Sequence, residues 1–183
     1  EKTGEHHLDL KLTEPKPIEK VELTPKPKLN LYVEEVIKQA STIIIGPGDY
    51  FASLQAALVV PGLQSAIKKS SAKVIYMMNL MTTFNQTHEY TASTHLKGIE
   101  KSIGRAVTHV VINSGKVQPK IIEHYATHQE FPVHNDLEGD KRLVLADVIS
   151  EIAYQKPKSD SLPRSILRHD PEKLKPVLLK LIK

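Results

Sequence analysis

The sequence predicts an α/β fold, an open and mostly parallel sheet flanked by helices, with an antiparallel strand pair at its N-terminal edge. Three observations carry this reading. Short apolar runs at residues 42–45, 73–78 and 108–112 suit buried strands and are too short for helices. Stretches of helical period separate them, which a parallel sheet needs for its crossovers. Each run also ends in turn-forming residues: Gly46-Pro47-Gly48-Asp49, Asn79-Leu80-Met81-Thr82, and Asn113-Ser114-Gly115. Strand tips of that kind predict a ligand crevice along the carboxyl edge of the sheet.

Composition bounds the rest. The chain has 183 residues, 40% of them hydrophobic, enough for one domain with a real core. No run approaches the ~18 apolar residues of a membrane helix. Cysteine is absent and no signal peptide opens the chain, which fits a cytoplasmic protein. The net charge of +4 is spread out and only 5% of residues are aromatic, so neither nucleic acid nor membrane is an expected partner. The chain opens at Glu1 without Met, as a fragment, a processed product or part of something longer would.

Residues 7–12 and 18–23 alternate apolar and polar side chains around Glu14-Pro15-Lys16-Pro17, which predicts two edge strands joined by a turn. With the stiff Pro25-Lys26-Pro27 connector they form the segment 1–28, at the edge of the domain that occupies 29–183. Val33, Val36, Ile37 and Ala40 predict a helix capped by Asn30. Leu54, Leu58, Leu63 and Ile67 predict one helix after the glycine turn. Ser93 is the expected cap of a helix through Leu96, Ile99 and Ile103 that stops at Gly104. Pro119 opens a helix bearing Ile121, Ile122 and Tyr125. Residues 131–133 and 142–148 read as short strands, and 155–164 as a loop. A last helix starts at Pro171, with Leu174, Val177, Leu178 and Ile182 inward.

With these motifs in order, the chain resembles the gluconeogenesis factor/2-phospho-L-lactate transferase (CofD-like) family, whose fold is Rossmann-like. Gly46-Pro47-Gly48 is similar to its GPGS turn, and residues 79–87 to its NLMTQPGET loop. Asn113 matches a VNN-like strand end, and Arg168-His169-Asp170 a late RHD. Gly4-Glu5 resembles a segment that precedes the family's paired strands. The likeness runs over nearly the whole chain, with departures. The family's glycine-rich GGGTG segment is absent, Asp49 stands where the family has Ser, and 83–87 loses the loop's Gly and carboxylate. Thr94 replaces an Asp before His95.

The resemblance implies a nucleotide or phosphate site at Gly46, Pro47, Gly48, Asp49, Ser53, Asn79, Thr82 and Thr87, with Tyr125 and Arg168 contacting a nucleotide-sugar. Tyr90, His95 and Asn113 form a second tier. Physical readings stand beside these. A GPG turn also serves simply as a βα connection, and Asn and Thr at strand ends also satisfy loop backbone. His95 also fits a buried helix histidine, Tyr125 its helix's apolar face, and Arg168 a pair with Asp170. A carboxylate at Asp49 either caps the following helix or repels a phosphate ~5 Å away by about 3 kcal/mol at an effective dielectric near 20. His124 and His128 have a chelating spacing, but no third ligand presents itself and no metal site is expected.

By resemblance the function is a regulatory protein that binds a UDP-N-acetylglucosamine-type ligand and influences carbon metabolism and cell-wall precursor supply. One alternative is a transferase moving a phospholactyl-type group from a GDP-linked donor to a deazaflavin, with Asp49 and Glu89 as the carboxylates for Mg²⁺. Another is a subunit completed by a partner carrying the glycine-rich segment; a homodimer is a further arrangement. No cofactor is otherwise expected, except Mg²⁺ accompanying a nucleotide diphosphate.

Overall fold

The structure is a computed structural model, and it describes Pro15 and residues 18–152 and 165–183. The strand expected over 7–12 and the loop expected over 155–164 lie outside the described residues. The order of elements is α1 (Leu31–Gln39), β1 (Thr42–Ile45), a π-helical turn (Tyr50–Gln55) running into α2 (Ala56–Leu58), α3 (Leu63–Lys69) and β2 (Lys73–Met77). Then come α4 (Ala92–Ile103), β3 (His109–Asn113), α5 (Pro119–Ala126), β4 (Leu143–Ala146) and α6 (Pro171–Ile182).

The four strands form one Rossmann-like sheet in the order β1-β2-β3-β4, every neighbour parallel. Register pairs Ile45 with Tyr76, Ile75 with His109 and Val111 with Val144. Alternation sends Val74, Tyr76, Val110 and Ile112 into a core with Leu96, Ile99 and Ile103 of α4. Ile75, Met77 and Val111 face the other way, onto Leu174, Val177, Leu178 and Leu181 of α6. The central strands are thus buried on both faces, which is why they read as unbroken apolar runs. Asp170 caps α6 by accepting from Glu172 N and Lys173 N at 2.9 and 3.3 Å, and Lys73 Nζ donates to Leu181 O at its far end.

Several elements differ from expectation. Residues 18–23 are not assigned to a strand and no described residue pairs with them; Ile18 and Val21 pack on the helix-side core. The helix expected across Leu54–Ile67 breaks at Pro61-Gly62, where Gly62 takes φ +95° and α3 begins anew. Residues 131–133 contribute a single antiparallel bridge, Pro132 to Met81. The cap of α4 is Thr91, accepting from Thr94 N, because Ser93 is held by Asp136 at 2.7 Å. On α6, Leu181 faces inward while Ile182 is exposed. Among the described residues no single helix is long and apolar enough to cross a membrane.

Candidate functional site

The turn after β1 and the end of β2 are tied together. Asn79 Nδ2 donates to Gly48 O at 2.8 Å, while Asn79 Oδ1 is buried without a hydrogen-bond partner. A Cβ on Gly48 would sit 3.3 Å from the Ser53 Cβ, so the turn and the first helical residues are in tight contact. Beside Gly46 the space is open. Asp49 occupies the N-cap position, and its carbonyl accepts from Ser53 N and Leu54 N at 2.9 and 3.0 Å; the second bond, five residues on, makes the turn π-helical.

The carboxylate of Asp49 makes no cap bond to that helix. The cap comes from Gln86, whose Oε1 accepts from Phe51 N at 3.0 Å and Ala52 N at 3.2 Å. These are the first-turn N–H groups that an anion would use. Gln86 is 5% exposed, so the contact is an interior one. Asp49 instead bears on Glu130: burial raises the Glu130 carboxyl above its ordinary value, and the Asp49 charge adds to this. Glu89, by contrast, is an exposed residue at φ +61°.

Thr82 and Thr87 are spent on the loop itself. Thr82 N donates to Phe131 O at 2.7 Å and its hydroxyl accepts from Phe131 N at 3.0 Å. Thr87 Oγ1 accepts from Thr83 N at 2.9 Å. Tyr90 closes the loop edge-on against Tyr50, Phe51 and His95. His95 is fully buried; its Nδ1 donates to Thr91 O at 2.9 Å, Nε2 has no partner, and burial lowers its pKa. Burial likewise pushes Tyr50 up to about 12.

On the β3–β4 side, Asn113 Oδ1 accepts from Gly115 N and Val148 N, and its amide donates to Gly115 O. Asp147 crowds this turn so closely that a Cβ on Gly115 would overlap its carboxylate. Tyr125 is buried, and its hydroxyl accepts from Leu167 N at 3.2 Å, so it orients the segment that carries Arg168. The Arg168 side chain is exposed, with Nε near Ser165 O at 3.4 Å, and its carbonyl accepts from Ser150 N. Asp170 is engaged as the α6 cap. His169 is drawn to the Met78 backbone at the end of β2, and burial lowers its pKa. His124 is exposed on α5 and His128 lies in the exposed turn that follows it, and no group of three His, Asp or Glu that could hold a metal occurs among the described residues.

The structure therefore brings Asn79 to Gly48, and gathers Thr82, Thr87, Tyr90 and His95 on and under one loop. Asn113, Tyr125 and Arg168 belong to the β3–β4 end. A cleft of about 1070 Å³ lies between residues 18–27 and the helices; Tyr50, Phe51 and Tyr90 line it, whereas Gly46 to Asp49 do not. Sequence reasoning gave no role to Gln86 or Glu130, and named His169 only within the Arg168-His169-Asp170 motif. Gln86 carried a signal, since it stands where the loop of the resembling family places its carboxylate.

A parallel sheet whose carboxyl edge gathers a glycine turn and two asparagine-tipped strands defines a Rossmann-like α/β domain. The chain belongs to the CofD family: the family model described as 2-phospho-L-lactate transferase CofD matches residues 2–152. It is 31% identical over 150 residues to the gluconeogenesis factor of Bacillus subtilis, covering 81% of this chain and 45% of that protein. It is 31% identical over 166 residues to the gluconeogenesis factor of Halalkalibacterium halodurans, covering 90% and 49%. The crystal structure of a UPF0052-family protein from Bacillus halodurans superposes with a TM-score of 0.79 at 30% identity, covering 96% of this chain and 54% of that one. The chain spans between about a third and a half of the length of such curated relatives.

Proposed function

We propose that this chain supplies one wall of a nucleotide-sugar site in a cytoplasmic regulatory protein of the gluconeogenesis-factor type. Its ligand is of the UDP-N-acetylglucosamine class, and through it the protein influences carbon metabolism and cell-wall precursor supply. The observation that carries this reading is the bond from Asn79 Nδ2 to Gly48 O. It fixes the polar tip of β2 on the glycine turn of β1, giving one rim with an open approach at Gly46. The Asn79 Oδ1, a buried acceptor without a donor, is suited to a ribose or sugar hydroxyl. Exposed Arg168 adds a planar fork suited to a phosphate. Relatives named gluconeogenesis factor support the assignment of class.

A second reading is favoured by the family model's description and by the proximity of the Asp49 charge to Glu130. In it the protein is a transferase moving a phospholactyl-type group from a GDP-linked donor to a deazaflavin, with Mg²⁺ arriving on the diphosphate. In a third, a partner subunit carrying a glycine-rich segment completes the site. Thermal shift separates the three. Stabilisation by UDP-N-acetylglucosamine alone supports regulation, stabilisation only by GDP with Mg²⁺ supports transfer, and no response to either favours completion by a partner.

A further inference from the structure

We propose that residues 83–90 form a hinged strap over the strand-end rim, with the Gln86 side chain as its catch. Both ends are anchored. At one, Thr82 is tied to Phe131 by three hydrogen bonds; at the other, Thr91 caps α4 and Ala92 N donates to His134 O at 2.9 Å. Between them the strap is cross-linked to itself, Thr83 N to Thr87 Oγ1 at 2.9 Å and Thr87 N to Thr83 O at 2.8 Å. It therefore moves as a unit rather than by unravelling.

Several contacts hold it down. Gln86 Oε1 accepts from Phe51 N and Ala52 N, the Phe84 backbone reaches the Glu130 carboxyl, and Tyr90 packs edge-on against Tyr50 and Phe51. Backbone hydrogen bonds from Gln86, Thr87 and Tyr90 all stay inside the strap. An independent observation is where the closed arrangement leaves polar atoms unserved. Asn79 Oδ1 at the rim, His88 Nδ1 on the strap and His95 Nε2 beneath it are each buried without a partner. Opening the strap admits water to such groups, so the closed form is held by its catch and opposed by its own interior.

The inference rests on the reading that a ligand enters at this rim: an incoming phosphate would replace a neutral amide oxygen with a charged acceptor at the same N–H groups. Hydrogen exchange measured residue by residue tests the strap without any ligand. Gln86→Ala is expected to speed exchange at Phe51, Ala52 and the strap by about tenfold or more while β2 amides stay as slow as before. Gln86→Glu, which keeps an acceptor, is expected to retain the protection. Unchanged exchange at Phe51 and Ala52 in Gln86→Ala, or an equal rise throughout β2, overturns the strap. Uridine diphosphate is the second probe, expected to bind Gln86→Ala at least about threefold more tightly than wild type because the catch no longer competes. Equal or weaker binding overturns the gate. If neither protein binds it, the ligand reading fails, and the exchange data alone decide the strap.

Discussion

Gly98 lies in the middle of α4, where alanine should stabilise the helix by about 1 kcal/mol. The structure predicts the opposite sign. A Cβ at this position would fall 1.9 Å from the Tyr50 hydroxyl and 3.2 Å from its Cζ. Tyr50 is 3% exposed, its hydroxyl donates to His95 O at 3.0 Å, and the Phe51 and His95 rings stand edge-on to it with centroids 5.0 Å away. To make room the ring must shift against Phe51 and His95 and give up its bond to His95 O. Overpacking costs about 1–3 kcal/mol, and losing the buried hydroxyl's bond costs about 1 more. After the propensity gain, Gly98→Ala should lose about 1–3 kcal/mol, a fall in Tm of about 3–9 °C for a chain of this size. Urea titration of wild type, Gly98→Ala, Tyr50→Phe and the double variant measures it. Removing the hydroxyl should recover much of the loss, a coupling that independent sites would not show. Gly98→Ala as stable as wild type, or more so, would refute the packing described.

Asn113→Ala removes the acceptor for Gly115 N and Val148 N and the donor to Gly115 O, and should cost about 2–3 kcal/mol in urea melts; a loss below about 0.5 kcal/mol would show that the turn is held otherwise. His95 and His169 both have pKa values lowered by burial, so the unfolded chain takes up protons first as pH falls. Stability should therefore decline as pH drops below the ordinary value of 6.5, Glu130 opposing it where its raised carboxyl titrates, and His95→Phe should flatten the slope. A melting temperature constant from pH 7.5 to 5.5 in wild type contradicts this. Asp49→Ser should bring the Glu130 carboxyl down toward its ordinary value by removing a neighbouring charge; an unchanged carbon-13 titration of Glu130 would show that the Asp49 charge does not reach it.

The central strands were legible because burial on both faces shows as unbroken apolar runs such as Val110-Val111-Ile112, and β1 was legible from its β-branched run although Ile44 is exposed at the sheet edge. Local signals also located α1 through Asn30 and the end of α4 through Gly104. Signals resolved only by distant partners were not legible. Ser93 is the cap the sequence suggests, but Asp136, 43 residues away, engages it and Thr91 caps instead. Alternation over residues 18–23 has the pattern of a strand, yet no described neighbour pairs with it. Pro132 has no N–H to extend a ladder, which limits 131–133 to one bridge. At the site, the positions of the glycine turn and Asn79 could be read from residue types, but their contact could not. The cap from Gln86 joins residues 35 apart, and the charge effect of Asp49 on Glu130 spans further still.

The Gly46–Gly48 backbone and Asn79 form the rim at which the proposed ligand binds. The most direct measurement is a titration of isotopically labelled protein with UDP-N-acetylglucosamine, followed by amide chemical shifts. The first and largest shifts are expected at Gly46, Gly48 and the Asn79 side-chain amide. Shifts confined to the cleft under residues 18–27, or none at all at saturating ligand, would contradict binding at this rim.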